Sequence, residues 1–270
     1  MSAAQVPAAH QTLQVLMHLA RHAGPLPAAR IAEDLGLPRS TVYHLLNVLQ
    51  HNGFVVHLVE EHRYGLGVTA FEIGSAYTHQ APLARLARPL LARLVDELGQ
   101  SAHLAVLHGR EVLYVVEERA PGRPPLVTDV GVRLPAHLTA SGRAVLAALP
   151  AAQVRALFPD RTAFVQRHGG GPTSLPELRR LLTRMRTTGH ADEDGEVTPG
   201  FASVASPVFD SAAHPAAGLA VTFDSADVGP DDRARLADRV ARGARDLTRR
   251  IGGRRPTATP TGTTRPGPGS

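Results

Sequence analysis

Residues 28–53 read AARIAEDLGLPRSTVYHLLNVLQHNG, two short helical stretches parted by one glycine. In the first, Ile31 and Leu35 fall four apart and Gly36 follows, a residue free to take the left-handed conformation that closes a helix. In the second, Pro38 leads into Arg39, Ser40 and Thr41. Val42, Leu45, Leu46 and Leu49 then share one face until Asn52-Gly53 ends it. Packing two such helices closely needs a small residue on the first, a glycine in the turn and a β-branched residue on the second. Ala32, Gly36 and Val42 hold those places. The spacing predicts a helix-turn-helix.

Working outward, Leu13, Leu16, Met17 and Ala20 recur at helical spacing between Ala9 and His22, and Gly24-Pro25 stops them. Downstream, FVVHLVEEHRYGLG is two β-rich runs joined across Glu60-Glu61-His62, the pattern of a hairpin. Three helices and a hairpin within residues 1–67 describe a winged helix-turn-helix. Its third helix would enter the major groove, with Arg39, Tyr43, His44 and Asn47 on the polar side facing bases or phosphates. Ser40 and Thr41 are short enough to bond phosphate, and Arg63 of the wing could reach the minor groove or backbone. The plain alternatives are a helix cap for Ser40 or Thr41 and a solvated turn position for Arg63.

Charge alone does not make this argument. The chain carries 29 basic residues, all arginine, against 24 acidic ones, a net charge of +5. Residues 1–67, however, balance Arg21, Arg30, Arg39 and Arg63 against Glu33, Asp34, Glu60 and Glu61. The case for DNA therefore rests on motif and geometry.

Zero cysteines exclude disulfides, thiolate metal sites and thiol nucleophiles. No apolar run approaches the roughly 18 residues that span a bilayer, and the N-terminus lacks a basic flank before a hydrophobic block, so a cytoplasmic, nucleoid-associated protein with no membrane partner is expected. Histidines 10, 18, 22, 44, 51, 57 and 62 crowd the first 67 residues. The pairs His18/His22 and His44/His51 have no third ligand nearby in sequence, so neither a metal nor a cofactor is expected.

Beyond the wing, TAFEIGSAYTHQ reads as a linker helix within residues 68–81, and PLARLARPLLARLVDELG as the first helix of a second domain spanning 82–252. AHLAVLHG and EVLYVVEE form a hairpin across Gly109-Arg110, with PLVTDVG as a third candidate strand. Helices follow at ASGRAVLAALP, PAAQVRALF and SLPELRRLLTRMRTTG, then strands at FASVASPVFD and AAGLAVTFD. The last helix, PDDRARLADRVARGARDLTRRIG, places acids first and arginines last, matching its dipole. Residues 253–270, rich in Pro, Gly, Thr and Arg, are predicted to be disordered.

Five blocks now stand in order: AEDLGLPRSTVYHLLNVLQHNGFV, RYGLG, LPAHLTASGRAVLAALP, GHADEDGEVTPGFASVASPVFD and the terminal helix. Together they resemble the IclR family of bacterial transcription regulators, from about residue 10 to 252. The resemblance implies an α+β chain: a winged helix-turn-helix, a linker helix, and a C-terminal α/β sensor domain with a curved antiparallel sheet (GAF/profilin-like). It further implies homodimers or homotetramers on palindromic double-stranded operators, with a small organic metabolite as effector. Repression is the expected sign.

The effector positions implied by the resemblance are the backbone amides of Ala140 and Ser141, the carboxylate of Glu193, and Ser203, Ala220 and Thr222. Ala220 replaces a hydroxyl found in some relatives, Glu193 replaces a shorter Asp, and His44 stands where many have Arg, so both ligand and operator are open to difference. Independently, a helix start at Ala140-Ser141-Gly142 suits a carboxylate. Ser141 as a mere cap and Glu193 as a solvated acid in a loop are the plain readings. Two rival functions are weighed: a hydrolase using Ser141 with His137, which lacks a G-x-S-x-G elbow, and a winged-helix module that binds protein.

Overall fold

The structure is a computed structural model that describes residues 6–22, 24–73 and 82–256. It divides into two compact units, residues 1–81 and 82–270.

In the first unit α1 (Pro7–Ala20), α2 (Ala28–Leu35) and α3 (Arg39–His51) precede an antiparallel hairpin of β1 (Val55–Leu58) and β2 (Arg63–Leu66). Gly36 adopts φ 63° and closes α2, as its position before the turn requires. Val15, Leu19, Ile31, Ala32, Val42, Leu45, Leu46 and Leu49 form one core with Val55 and Tyr64 of the hairpin. Each such large apolar side chain contributes about 1.5–3 kcal/mol through burial, so the helical stripes hold the unit together. The wing is tied in by backbone: Leu26 and Tyr64 exchange both N–H···O bonds, at 2.9 and 2.8 Å. Residues 68–73 are helical, and the remainder of the expected linker lies outside the described residues.

The second unit is built on a six-stranded antiparallel sheet in the order β5-β4-β3-β8-β7-β6. The strands are β3 (Ser101–His108), β4 (Glu111–Glu118), β5 (Arg133–Pro135), β6 (Ala191–Asp194), β7 (Phe201–Phe209) and β8 (Pro215–Asp224). Helices α4 (Pro82–Leu98) and α8 (Pro230–Arg250) pack on one face, with Leu90, Leu94 and Leu219 meeting Gly243. On the other lie α5 (Ala140–Ala148), α6 (Ala151–Leu157) and α7 (Leu175–Thr188), sharing a core with Ala105, Tyr114, Ala205 and Ala220. Both faces are covered, which is why β7 and β8 are buried almost throughout. Bulges at Leu104/Ala105 and Val208/Phe209 add local twist.

Two expectations are corrected. PLVTDVG is a loop, because Pro124 and Pro125 have no N–H for a ladder and Asp129 turns the chain by accepting from Val130 N at 2.7 Å. The strand comes after it, as β5. Conversely, Glu193 belongs to no loop: Ala191–Asp194 is an edge strand paired with Ala202–Ala205. Its alternation was disguised because one inward residue is a glutamate. At the start of the predicted tail, Gly253 N and Arg254 N donate to Thr248 O (2.7 Å) and Asp210 O (3.1 Å); residues 257–270 lie outside the described residues.

Candidate ligand site and nucleic-acid interface

Strand register builds the ligand site. Glu193 pairs Ser203, Ser203 pairs Thr222 and Thr222 pairs Ser101, so four polar residues form one row across β6, β7, β8 and β3. The next row inward, Ala191-Ala205-Ala220-His103, is apolar except at its end. Over these rows sits the first turn of α5, brought down by glycine. A Cβ on Gly218 of β8 would lie 2.3 Å from Ser141 O, so only glycine lets the helix start rest on the strand.

The helix is capped by Thr139, not Ser141: the Thr139 hydroxyl accepts from Gly142 N at 3.0 Å. Ser141 is left to face Tyr114, whose phenol burial pushes above its ordinary range. Ala140 and Ser141 occupy the first two helical positions, whose N–H groups have no partner within a helix. Ala140, Ser141, Glu193, Ser203, Ala220 and Thr222 all line one narrow cleft, together with His103, Tyr114, Thr128 and Thr139. Its centre has room for roughly one water. The loop carrying Leu126, Val127 and Thr128 forms part of the wall.

The hydrogen bonds run in one direction. Ser203 Oγ donates to Glu193 Oε1 at 2.7 Å, so its single proton is used and Thr222 Oγ1, 2.8 Å away, donates to it. Glu193 is 4% exposed and its Oε2 has no hydrogen-bond partner within 3.5 Å among the described residues. Burial, reinforced by Glu196, pushes its carboxyl up to about 7 against the bonds that favour the charged form. His103, 1% exposed, meets Thr128 Oγ1 through Nδ1 at 3.2 Å, and its Nε2 has no partner among the described residues. Burial and then Arg119 lower it to about 3, so it is a neutral imidazole. Unpaired buried polar atoms of this kind are costly, about 1–3 kcal/mol each, and two of them line a single cleft.

His103, Tyr114 and Thr128 went unnoticed in the sequence. His103 has the visible signal of a polar residue inside the apolar run AHLAVLH, at a position alternating with core residues. Arg143 also escaped notice. Buried at 1% exposure, it donates Nε to His137 O (2.8 Å), Nη1 to Asp192 O (2.7 Å) and Nη2 to Glu196 Oε1 (2.8 Å), tying α5 to β6. The hydrolase geometry is not assembled. His137 Nε2 donates to Val165 O at 2.9 Å, and no hydrogen bond joins its ring to Ser141 among the described residues.

In the first unit, Arg39, Ser40, Tyr43, His44 and Asn47 are exposed on α3 while Val42, Leu45 and Leu46 are buried beneath them; Thr41 is half-buried. Neither Ser40 nor Thr41 caps α3, whose cap position is Pro38 and has no side-chain bond. Arg63 is exposed, yet its Nη1 donates to Pro25 O at 3.1 Å, so the wing arginine also braces the turn before α2.

The sequence model of the bacterial transcriptional regulator IclR C-terminal domain matches residues 75–249, and that of the IclR helix-turn-helix domain residues 8–58. This chain belongs to the IclR family. It is 26% identical over 253 residues to the transcriptional repressor IclR of Escherichia coli (strain K12), covering 93% of this chain and 92% of the relative. A putative IclR-family transcriptional regulator from Silicibacter sp. TM1040 superposes with a TM-score of 0.83 at 24% identity, over 94% of this chain and 100% of that one. An IclR homologue from Microbacterium hydrocarbonoxydans, solved in complex with 4-hydroxybenzoate, matches with a TM-score of 0.74 at 20% identity, over 90% and 98% of the two chains. As an IclR-family member, the protein is a DNA-binding transcriptional regulator with an N-terminal helix-turn-helix and a C-terminal effector domain. No helix among the described residues is long and apolar enough to cross a membrane.

Proposed function

We propose that the protein is a repressor whose operator affinity falls when a small organic acid carrying a hydroxyl group fills the cleft under α5. The observation that carries this reading is a pair of buried atoms with no hydrogen-bond partner among the described residues, Glu193 Oε2 and His103 Nε2, on residues lining a cleft floored by the Ser203-Thr222 row. A ligand hydroxyl answers Glu193, and a carboxylate answers the amides of Ala140 and Ser141 at the positive end of the α5 dipole. A simple anion fits less well, since Glu193 in its charged form repels it. The cleft is nearly closed, so entry displaces the loop at residues 126–128. Relatives named as repressors, and one solved with 4-hydroxybenzoate, support sign and ligand class.

On DNA, Arg39, Ser40, Thr41, Tyr43, His44 and Asn47 are the reading face and Arg63 the wing contact, within residues 1–67. Residues 68–81 link this part to the effector and oligomerisation part at 82–252. One winged helix offers little contact area, so the working form is a homodimer or homotetramer on a pseudo-palindrome, in the cytoplasm with the nucleoid.

The test is a thermal-shift screen of the full chain against small hydroxy acids, phenols and amino acids, followed by titration of the best hit into a mobility-shift assay on the upstream intergenic DNA. Release of the operator is expected, lost in Ser203→Leu and Thr222→Val. If both variants keep the thermal shift and the release, the cleft is not the effector site.

A further inference from the structure

The sequence left His18 and His22 without a third ligand, and the fold supplies one from another helix. Asp34, near the end of α2, lies beside them: one ligand atom from each of His18, His22 and Asp34 falls within 4.8 Å of the others. We propose that these three residues form a zinc-binding site that fastens the end of α1 to α2, the first helix of the helix-turn-helix.

The geometry already gathers the three side chains as a shared ion would. His18 Nε2 stands 3.1 Å from Asp34 Oδ2, an ion-pair distance when the ring is protonated, and makes no hydrogen bond among the described residues although the nitrogen is buried. A tetrahedral zinc with bonds of about 2.0–2.1 Å holds its ligand atoms roughly 3.3 Å apart, close to the 3.1 Å between His18 Nε2 and Asp34 Oδ2. His22 is already oriented for the purpose. Its Nδ1 is 2.9 Å from His18 O, and a carbonyl oxygen only accepts, so Nδ1 carries the proton and the ring's lone pair is on Nε2. This backbone bond is the outer-shell support that metal-binding histidines usually have. The rings sit with centroids 4.5 Å apart, so His22, exposed at the surface, needs only a side-chain adjustment to close the site.

Arg30 also reaches this carboxylate, with Nε 2.9 Å from Oδ1 and 3.0 Å from Oδ2. At 59% side-chain exposure it is free to retreat to Oδ1 and leave Oδ2 for the metal. Two imidazoles and one carboxylate suit Zn²⁺ and leave a fourth position for water. With no cysteine in the chain, no thiolate competes for the ion.

The experiment is calorimetric titration of ZnCl₂ into tag-free, EDTA-stripped and desalted full-length protein, in parallel with His22→Ala, Asp34→Asn and a His44→Ala control. The wild type and the control are expected to bind one equivalent with Kd tighter than roughly 100 μM. His22→Ala and Asp34→Asn should weaken that affinity by about 100-fold or more, beyond the loss typical of outer-shell changes. His22 is exposed, so its truncation leaves the fold intact, which far-UV circular dichroism verifies. Cobalt(II) substitution gives a second readout, a tetrahedral visible spectrum present in wild type and lost in His22→Ala. Equal zinc affinity in all four proteins, or no wild-type binding tighter than the stated limit, overturns the proposal.

Discussion

Arg143 and Glu196 meet at 2.8 Å inside the second unit, with the arginine side chain 2% exposed and the glutamate 17%. Because the same guanidinium also holds His137 O and Asp192 O, this pair fixes the start of α5 against β6, and thereby Ser141 against Glu193. Arg143→Met is expected to destabilise the protein by about 3–5 kcal/mol, since it leaves Glu196 and two carbonyls without their donor. Adding Glu196→Gln should recover part of the loss. Urea denaturation of the two variants measures both, and a cost under about 1 kcal/mol for Arg143→Met would contradict the clamp.

The buried groups Glu193 and His103 contribute opposing slopes to the pH profile. Glu193 has a folded value of about 7 against an ordinary 4.5, so its contribution is complete below 4.5 and is lost as pH rises through 7. His103 runs the other way: held near 3 against 6.5, its contribution is present above 6.5 and is lost as pH falls through 3. Between 4.5 and 6.5 the two slopes oppose one another. Glu193→Gln removes the first, so between pH 4.5 and 6.5 the variant's stability should rise more steeply with pH than the wild type's, by up to about 1.4 kcal/mol per unit. Denaturation midpoints at several pH values check this, and an unchanged profile in the variant would refute it.

Gly218 carries the approach of α5 to β8. In Gly218→Ala the new methyl meets Ser141 O at 2.3 Å and must lift the helix start. We expect a loss of about 1–3 kcal/mol, as for other overpacked sites, and a ligand-induced thermal shift much reduced even where the variant remains folded. A wild-type shift in Gly218→Ala would mean that the helix start is not part of the ligand site.

On the DNA side, Arg39→Ala, Tyr43→Ala and His44→Ala remove exposed groups from α3 and leave its core residues in place. Each variant should melt within about a degree or two of wild type and lose on the order of 1–3 kcal/mol of operator affinity if it contacts a base. Where the contact is a phosphate, as for an arginine, the loss should be similar on all DNA sequences and the salt dependence shallower. Mobility shifts at three salt concentrations separate these cases, and unchanged affinity in all three variants would move the reading face elsewhere.

How far the sequence could be read varies along the chain. The helix-turn-helix was legible because its signals are local: the stripe Val42, Leu45, Leu46, Leu49 and the left-handed Gly36 act within a few residues of each other. PLVTDVG misled because apolar β-formers look the same in a strand and in a loop that covers a cleft, and only the absence of a ladder partner separates them. Residues 191–194 misled in reverse, since four consecutive residues containing three acids look solvated until one is buried beside Ser203.

The sequence by itself determined the two-part plan, the order and type of nearly all helices and strands, and the residues facing outward on α3. Periodicity, caps and turn residues record which side of each element is apolar, and that information is local. Tertiary structure decided what meets what. Sheet register aligned Glu193, Ser203 and Thr222 in one row, and a glycine contact brought Ser141 over them. The packing of α1 on α2 set Asp34 beside His18 and His22. Such pairings join residues 10 to 80 positions apart, and they depend on the one arrangement of packed elements that buries all the apolar faces together.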